Sequence, residues 1–241
     1  MTALLAVATA LIWPAAASAQ AIAPTAPQAP ATDYSEAETA IFLSEHLAGL
    51  APPRTLEYHF RKHGSLEQAF EDKVRLKLAP TDSGGCCDAT ADFLSGMHST
   101  SLPEVEDARA NPVILYFLEH DVRDMNRLTQ GQPNHFRKRI RMAIFNGAKV
   151  DPVQLTYQGQ SVAARRVSFT PYADDPNRHR FARYADKHYV FWLSNAVPGG
   201  VFGMATWMRD SETAPGHAQP LVAEELYLDG ATPPDLAASL R

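Results

Sequence analysis

The sequence predicts an α+β domain: a curved antiparallel sheet, shaped as a half-barrel, with a helical hairpin packed on its concave face. Three observations predict it. Apolar residues alternate with polar ones over three successive short runs, the period switches to helical in the middle of the chain, and alternation then returns to the end. The whole spans 241 residues with a formal net charge of −5, 45% hydrophobic and 20% charged, an ordinary composition for a globular chain.

The first element is not part of that domain. Leu4 to Ala17 is apolar apart from Thr9 and Pro14, and Ala17-Ser18-Ala19 precedes Gln20 as a small-residue cleavage site, so residues 1–19 read as a cleavable export signal and the expected location is the periplasm. No Lys or Arg precedes the run. The run is too short for a membrane span, and no later stretch approaches one; the mature chain is expected to carry no transmembrane segment. Residues 20–33, QAIAPTAPQAPATD, have no periodic apolar face and several fixed φ angles, which predicts an extended, disordered tether. Residues 34–241 are expected to form a single domain, and roughly 220 residues after cleavage suffice for a sizeable core.

Ser35 followed by Glu38 makes a capping box, and an apolar stripe through Ala37, Ile41 and Leu47 predicts a helix that runs to Leu50 and stops at Pro52-Pro53. Then the period becomes two. Leu56, Tyr58 and Phe60 oppose Glu57, His59 and Arg61; Val74, Leu76 and Leu78 oppose Lys73, Arg75 and Lys77; Cys87, Ala89, Ala91 and Phe93 oppose Asp88, Thr90 and Asp92. Three such strands make a meander with one dry and one wet face. From Asn111-Pro112, Ile114, Leu115, Phe117, Leu118, Val122, Met125 and Leu128 fall at helical spacing. A second helix over about 134–146 carries Phe136, Ile140 and Ile144, and Gly147 ends it.

Strands resume at 153–157, turn at Gln158-Gly159 and return over 162–169. Another pair, 189–194 and 201–208, is joined by Val197-Pro198-Gly199-Gly200, where Pro presets φ and Gly supplies a positive one. Val190 and Trp192 oppose Tyr189, Phe191 and Leu193, so this hairpin should be covered on both faces. A last strand occupies 221–228.

The element order, the export signal, the Val197-Pro198-Gly199-Gly200 hairpin and the closing run Glu224 to Ala231 resemble the periplasmic half-barrel superfamily typified by lipoprotein carriers and lipoprotein-like lipid-binding proteins. The resemblance lies in organisation and covers about residues 50–231. It implies an apolar cavity for acyl chains and a non-enzymatic protein that binds a lipid or other amphipathic molecule in envelope lipid or lipoprotein handling, with an envelope protein as a possible partner. Placed on this chain, such a cavity would be lined by Tyr58, Phe60, Leu76, Phe93, Phe117, Phe136, Phe191 and Leu193; the alternative is that these residues fill a solid core.

Charge and motifs narrow the remaining classes. A pI near 6.0 argues against a nucleic-acid partner, since phosphate binding needs surplus Lys and Arg. The one basic run, Arg137-Lys138-Arg139 with Arg141, suits an anionic headgroup at a cavity mouth, because Arg forks bind phosphate or carboxylate bidentately. The competing reading is a solvated helix face paired with Glu119, Asp121 and Asp124. His59 and His63 lie four apart on one face, a candidate for half of a metal site, but no third ligand is fixed by spacing; Met97-His98 and His120 with Met125 offer further soft or imidazole donors. Cys86 and Cys87 are the only cysteines. Their adjacency allows a redox pair if the local chain turns sharply. A periplasmic metal-binding or thiol-redox module is therefore the alternative to a lipid binder. G-x-S-x-G, H-E-x-x-H, Walker and G-x-G-x-x-G patterns are absent, and no cofactor is expected.

Overall fold

The computed structural model describes residues 34–83, 86–209 and 220–236. The leader (1–19) and the tether (20–33) lie outside the described residues. Ser35 makes the expected capping box: its hydroxyl accepts the Glu38 N–H at 3.1 Å, and the Glu38 carboxylate accepts the Ser35 N–H at 3.0 Å. The helix it starts is shorter than its apolar stripe suggests. One turn, α1 (Glu36–Glu38), passes directly into a π-turn over Thr39–Leu43. Both the N–H and the hydroxyl of Ser44 then donate to the Thr39 carbonyl at 2.9 Å, and a hydroxyl that competes for that carbonyl ends the ladder.

Alternation then does what it predicts. Strands β1 (Arg54–His63), β2 (Phe70–Pro80) and β3 (Cys86–Phe93) pair antiparallel. Leu56, Tyr58, Phe60, Val74, Leu76, Leu78, Cys87 and Phe93 are buried, while Glu57, His59 and Arg61 stay outside. The hairpin of helices α2 (Val113–Thr129) and α3 (Pro133–Gly147) follows. Next come β4 (Lys149–Tyr157) and β5 (Gln160–Phe169), joined through Gln158 and Gly159. Both of those have positive φ, 48° and 77°, as the tightest hairpins need. A 3₁₀ stretch at Arg178–Tyr184 precedes β6 (Lys187–Leu193), β7 (Val201–Arg209), β8 (Pro220–Leu228) and the two-residue β9 (Ala231–Thr232).

Among the described residues, nine strands form one open antiparallel sheet in the order β3-β2-β1-β8-β7-β6-β5-β4-β9. This is the expected α+β architecture, a curved sheet with a helical hairpin against it. α2 lies on the sheet through Ile114, Phe117 and Met125, all buried; the Phe117 ring meets Phe191 edge-on at 6.4 Å. Phe136 of α3 packs edge-on against Tyr172 and Phe181 at 5.7 and 5.9 Å. Every residue of β6 except His188 is buried, as its two apolar faces require.

Register places polar residues inside as well. Lys62 of β1 stands opposite Glu224 of β8, Glu224 opposite Thr206 of β7, and Thr206 opposite Tyr189 of β6. Directly opposed residues share a face, so these four make a polar row across the sheet beneath α2.

Candidate functional site

Helix α2 is apolar on more than one side. Residues 114, 117, 121 and 125 face the sheet, whereas Leu115, Leu118 and Val122 recur at i, i+3 and i+7 on a neighbouring stripe. That second stripe is the wall of a groove of about 650 Å³, closed by Tyr34, Phe42 and Leu43 from the first helical segment, Leu102 and Val105 from the loop before α2, and Ile140 from α3. Among the described residues nothing covers the groove: Tyr34 is 55% exposed, Leu43 48% and Leu115 49%, while Leu118, Val122 and Ile140 form a buried floor.

Three arginines, Arg123, Arg137 and Arg141, edge the groove together with Glu38 and Glu119. Arg137 grips Glu119 with two hydrogen bonds of 2.7 and 2.9 Å, and that fork holds the Glu119 carboxyl below its usual range. Arg123 sits 3.5 Å from the same carboxylate. Glu38 is engaged in the capping box. Arg141 is exposed and makes no ion pair with a described residue, which leaves a net charge of about +1 at the rim, three cations against two anions.

Of the three arginines read from the sequence as headgroup contacts, Arg137 and Arg141 therefore line one groove. Arg139 turns away, donating to the Pro171 carbonyl at 3.1 Å and lying 3.6 Å from Asp175. The expected pairing of the basic run with the preceding helix holds for Glu119 alone; Asp121 and Asp124 serve other partners. Tyr58, Phe60, Leu76, Phe93, Phe117, Phe136, Phe191 and Leu193, assigned from sequence to a cavity wall, belong to one packed core cluster. None of them lines the groove. The groove is lined instead by the first helical segment, the loop before α2, and the two helices.

A second concentration of function-bearing groups lies along the polar row. Lys187 donates to Asp121, which also accepts the Tyr189 hydroxyl at 2.5 Å, and Tyr189 meets Tyr172 at 3.2 Å. Lys62 forms ion pairs with Asp124, with Glu67 at 2.9 Å and with Glu224 at 2.9 Å. Burial opposes the charge of Lys62, but Glu224 and Asp124 outweigh it and raise its pKa; burial likewise opposes the Glu224 carboxylate, which His120 and Lys62 nonetheless hold well below the usual range. The imidazole Nε2 of His120 stands 3.8 Å from Glu224, too far for a hydrogen bond. Of this cluster, Lys62, His120 and Asp124 line a polar cleft of about 510 Å³, whose wall also includes Glu67, Phe70, His98 and Arg127.

Of the histidines read from the sequence as metal candidates, His120 and His98 line this cleft, whereas His59 and His63 are placed elsewhere. His59 contacts Asp229 at 3.0 Å and His63 contacts Glu225 at 2.9 Å, a carboxylate it shares with Arg61. Cys86 and Cys87 are bonded to each other. The grouping that sequence reasoning missed is His120, Asp124 and Glu224. Its local signal was His120 and Asp124 one helical turn apart; Glu224 comes from a strand a hundred residues later and had no spacing to announce it.

No known protein family matches the chain, and no curated protein is significantly similar to it. Among the described residues, no helix is long and apolar enough to cross a membrane.

Proposed function

We propose that the protein is an exported, non-enzymatic binder of an amphipathic molecule, whose acyl chain lies in the groove between the first helical segment, α2 and α3 and whose anionic headgroup meets Arg141. The observation that carries this reading is the groove itself: an apolar trough of about 650 Å³ with half-exposed Leu43 and Leu115 on its lips and, at its rim, a cation with no ion-pair partner among the described residues. Each methylene moved from water into such a trough contributes about 0.8 kcal/mol. An Arg fork adds orientation, because it matches phosphate or carboxylate oxygens in pairs.

The test is native mass spectrometry of the mature protein taken from a periplasmic extract without detergent, followed by solvent extraction of whatever it releases. The expected result is a stoichiometric acidic lipid or fatty acid, lost in Leu115→Asp and in Leu43→Asp, both surface positions whose change leaves the core intact. In Arg141→Glu, bound ligand should shift toward neutral amphiphiles. A bare protein mass, or equal lipid in wild type and Leu115→Asp, overturns the reading.

A further inference from the structure

We infer that His120, Asp124 and Glu224 form a binding site for a divalent transition-metal cation, with zinc as the representative ion. Their donor atoms all lie within 4.8 Å of one another. One imidazole and two carboxylates are the donor set that zinc accepts, and tetrahedral donors at zinc bond lengths stand about 3.3–3.5 Å apart. The required contraction is small, since the two carboxylates turn about their own side-chain bonds.

A second observation, independent of the donor types, points the same way. Among the described residues, neither carboxylate oxygen of Glu224 nor the Nε2 of His120 has an aligned hydrogen bond, though all three are buried, and Glu224 is fully buried. Groups in that state are costly unless something satisfies them. The Lys62 ammonium does so only in part: it stands 2.9 Å from one Glu224 oxygen, contacts Asp124, and leaves the other Glu224 oxygen and the imidazole unserved. A dication would serve all three ligands and neutralise two carboxylates at once.

The surroundings fit that exchange. Lys62 already reaches Glu67 at 2.9 Å, so it has a partner to retreat to. The His120 ring is held between Phe60, edge-on at 5.6 Å, and Phe93 at 5.2 Å, which fixes its direction. The polar cleft reaches Lys62, His120 and Asp124, giving the ion an entry path and the fourth coordination position room for water or a small anion.

Equilibrium dialysis of the chelator-stripped mature protein against zinc alone, with bound metal counted by elemental analysis, tests this. The wild type should bind about one zinc per chain. Glu224→Gln and His120→Gln should lose at least about tenfold in affinity, and the His59→Ala/His63→Ala double variant should be unchanged. Lys62→Met, which removes the competing ammonium, should bind more tightly. If Glu224→Gln fails to fold by near-ultraviolet circular dichroism, Asp124→Asn carries the same comparison. No stoichiometric zinc in the wild type, or equal binding in His120→Gln, overturns the site; loss of zinc in the His59/His63 variant alone assigns the metal to the surface pair instead.

Discussion

At Asn111 a single residue ties four parts of the chain together. Its amide donates to the Tyr58 hydroxyl at 2.9 Å and to the Gly199 carbonyl at 2.8 Å, its oxygen accepts the Val113 N–H at the start of α2 at 3.0 Å, and its own N–H donates to His46 Nδ1 at 3.3 Å. His46 Nε2 in turn lies 2.9 Å from the Ala40 carbonyl, so the ring is neutral with its proton on Nε2. The turn Gly199-Gly200 fits this hub only as glycine: φ is +74° and +70°, and a Cβ would come within 2.4 Å of Leu56 at the first and 2.9 Å of His46 at the second. Gly199→Ala should therefore lower stability by about 1–3 kcal/mol in urea denaturation, and a change under about 0.5 kcal/mol would refute the hub. Burial, opposed by the Ala40 hydrogen bond and aided by the charge of Arg165, lowers the His46 pKa below 6.5. Between that folded value and 6.5 the unfolded chain binds a proton the folded chain does not, so this contribution is complete above 6.5 and is lost as pH falls. The slope is at most about 1.4 kcal/mol per pH unit. Urea midpoints measured from pH 7 to 5 should fall more steeply for the wild type than for His46→Gln; parallel curves would refute the neutral ring.

The helix α2 shows what local pattern reveals of an element and what it hides. Its apolar positions mark it as a buried helix, and they do so correctly for Ile114, Phe117 and Met125. The same pattern absorbed Leu115, Leu118 and Val122, because a wide stripe reads as core whether or not anything lies over it. The groove was legible as residues and illegible as a space. Asp121 was hidden in a different way: an aspartate on the apolar side of a helix reads as a surface charge until Lys187 and Tyr189 arrive from β6. That pair is fully buried, and removing one member of such a pair leaves the other charge uncompensated. Lys187→Met should cost about 3–5 kcal/mol, and adding Asp121→Leu should recover most of it. Chemical denaturation of the two single variants and the double reads the coupling directly; additive losses would show that the pair does not anchor α2 to the sheet.

Over the whole described domain, the alternating strands and the both-sided apolar β6 announced an open, curved sheet, and register gives the curvature a cause. β8 ends at Leu228 beside β1, and Ala231, three residues on, pairs with Tyr157 of β4. In a flat sheet the five inter-strand steps from β8 to β9 would span about 24 Å, whereas three residues reach at most about 11 Å. The sheet therefore bends until the free side of β4 comes back to the end of β8. Such a short return was invisible beforehand, since two paired residues carry no period. Asp229 and Gly230 hold the bend: Asp229 donates its N–H to the Glu57 carbonyl at 2.9 Å, and the Gly230 carbonyl accepts the Gln158 N–H at 2.8 Å. Gly230 does so at a φ of +86°, where an added Cβ would come within 3.0 Å of Gln158, a conformation that costs a β-branched residue about 1–2 kcal/mol or more. Gly230→Val should consequently loosen one edge and spare the rest. Amide hydrogen exchange at Thr156, Tyr157 and Gln158 should accelerate by about tenfold, since each 1.4 kcal/mol of opening energy is a factor of ten, while amides shared by β1 and β2 keep their protection. Uniform acceleration through all nine strands would mean instead that the bend is a property of the entire sheet and that no local tie maintains it.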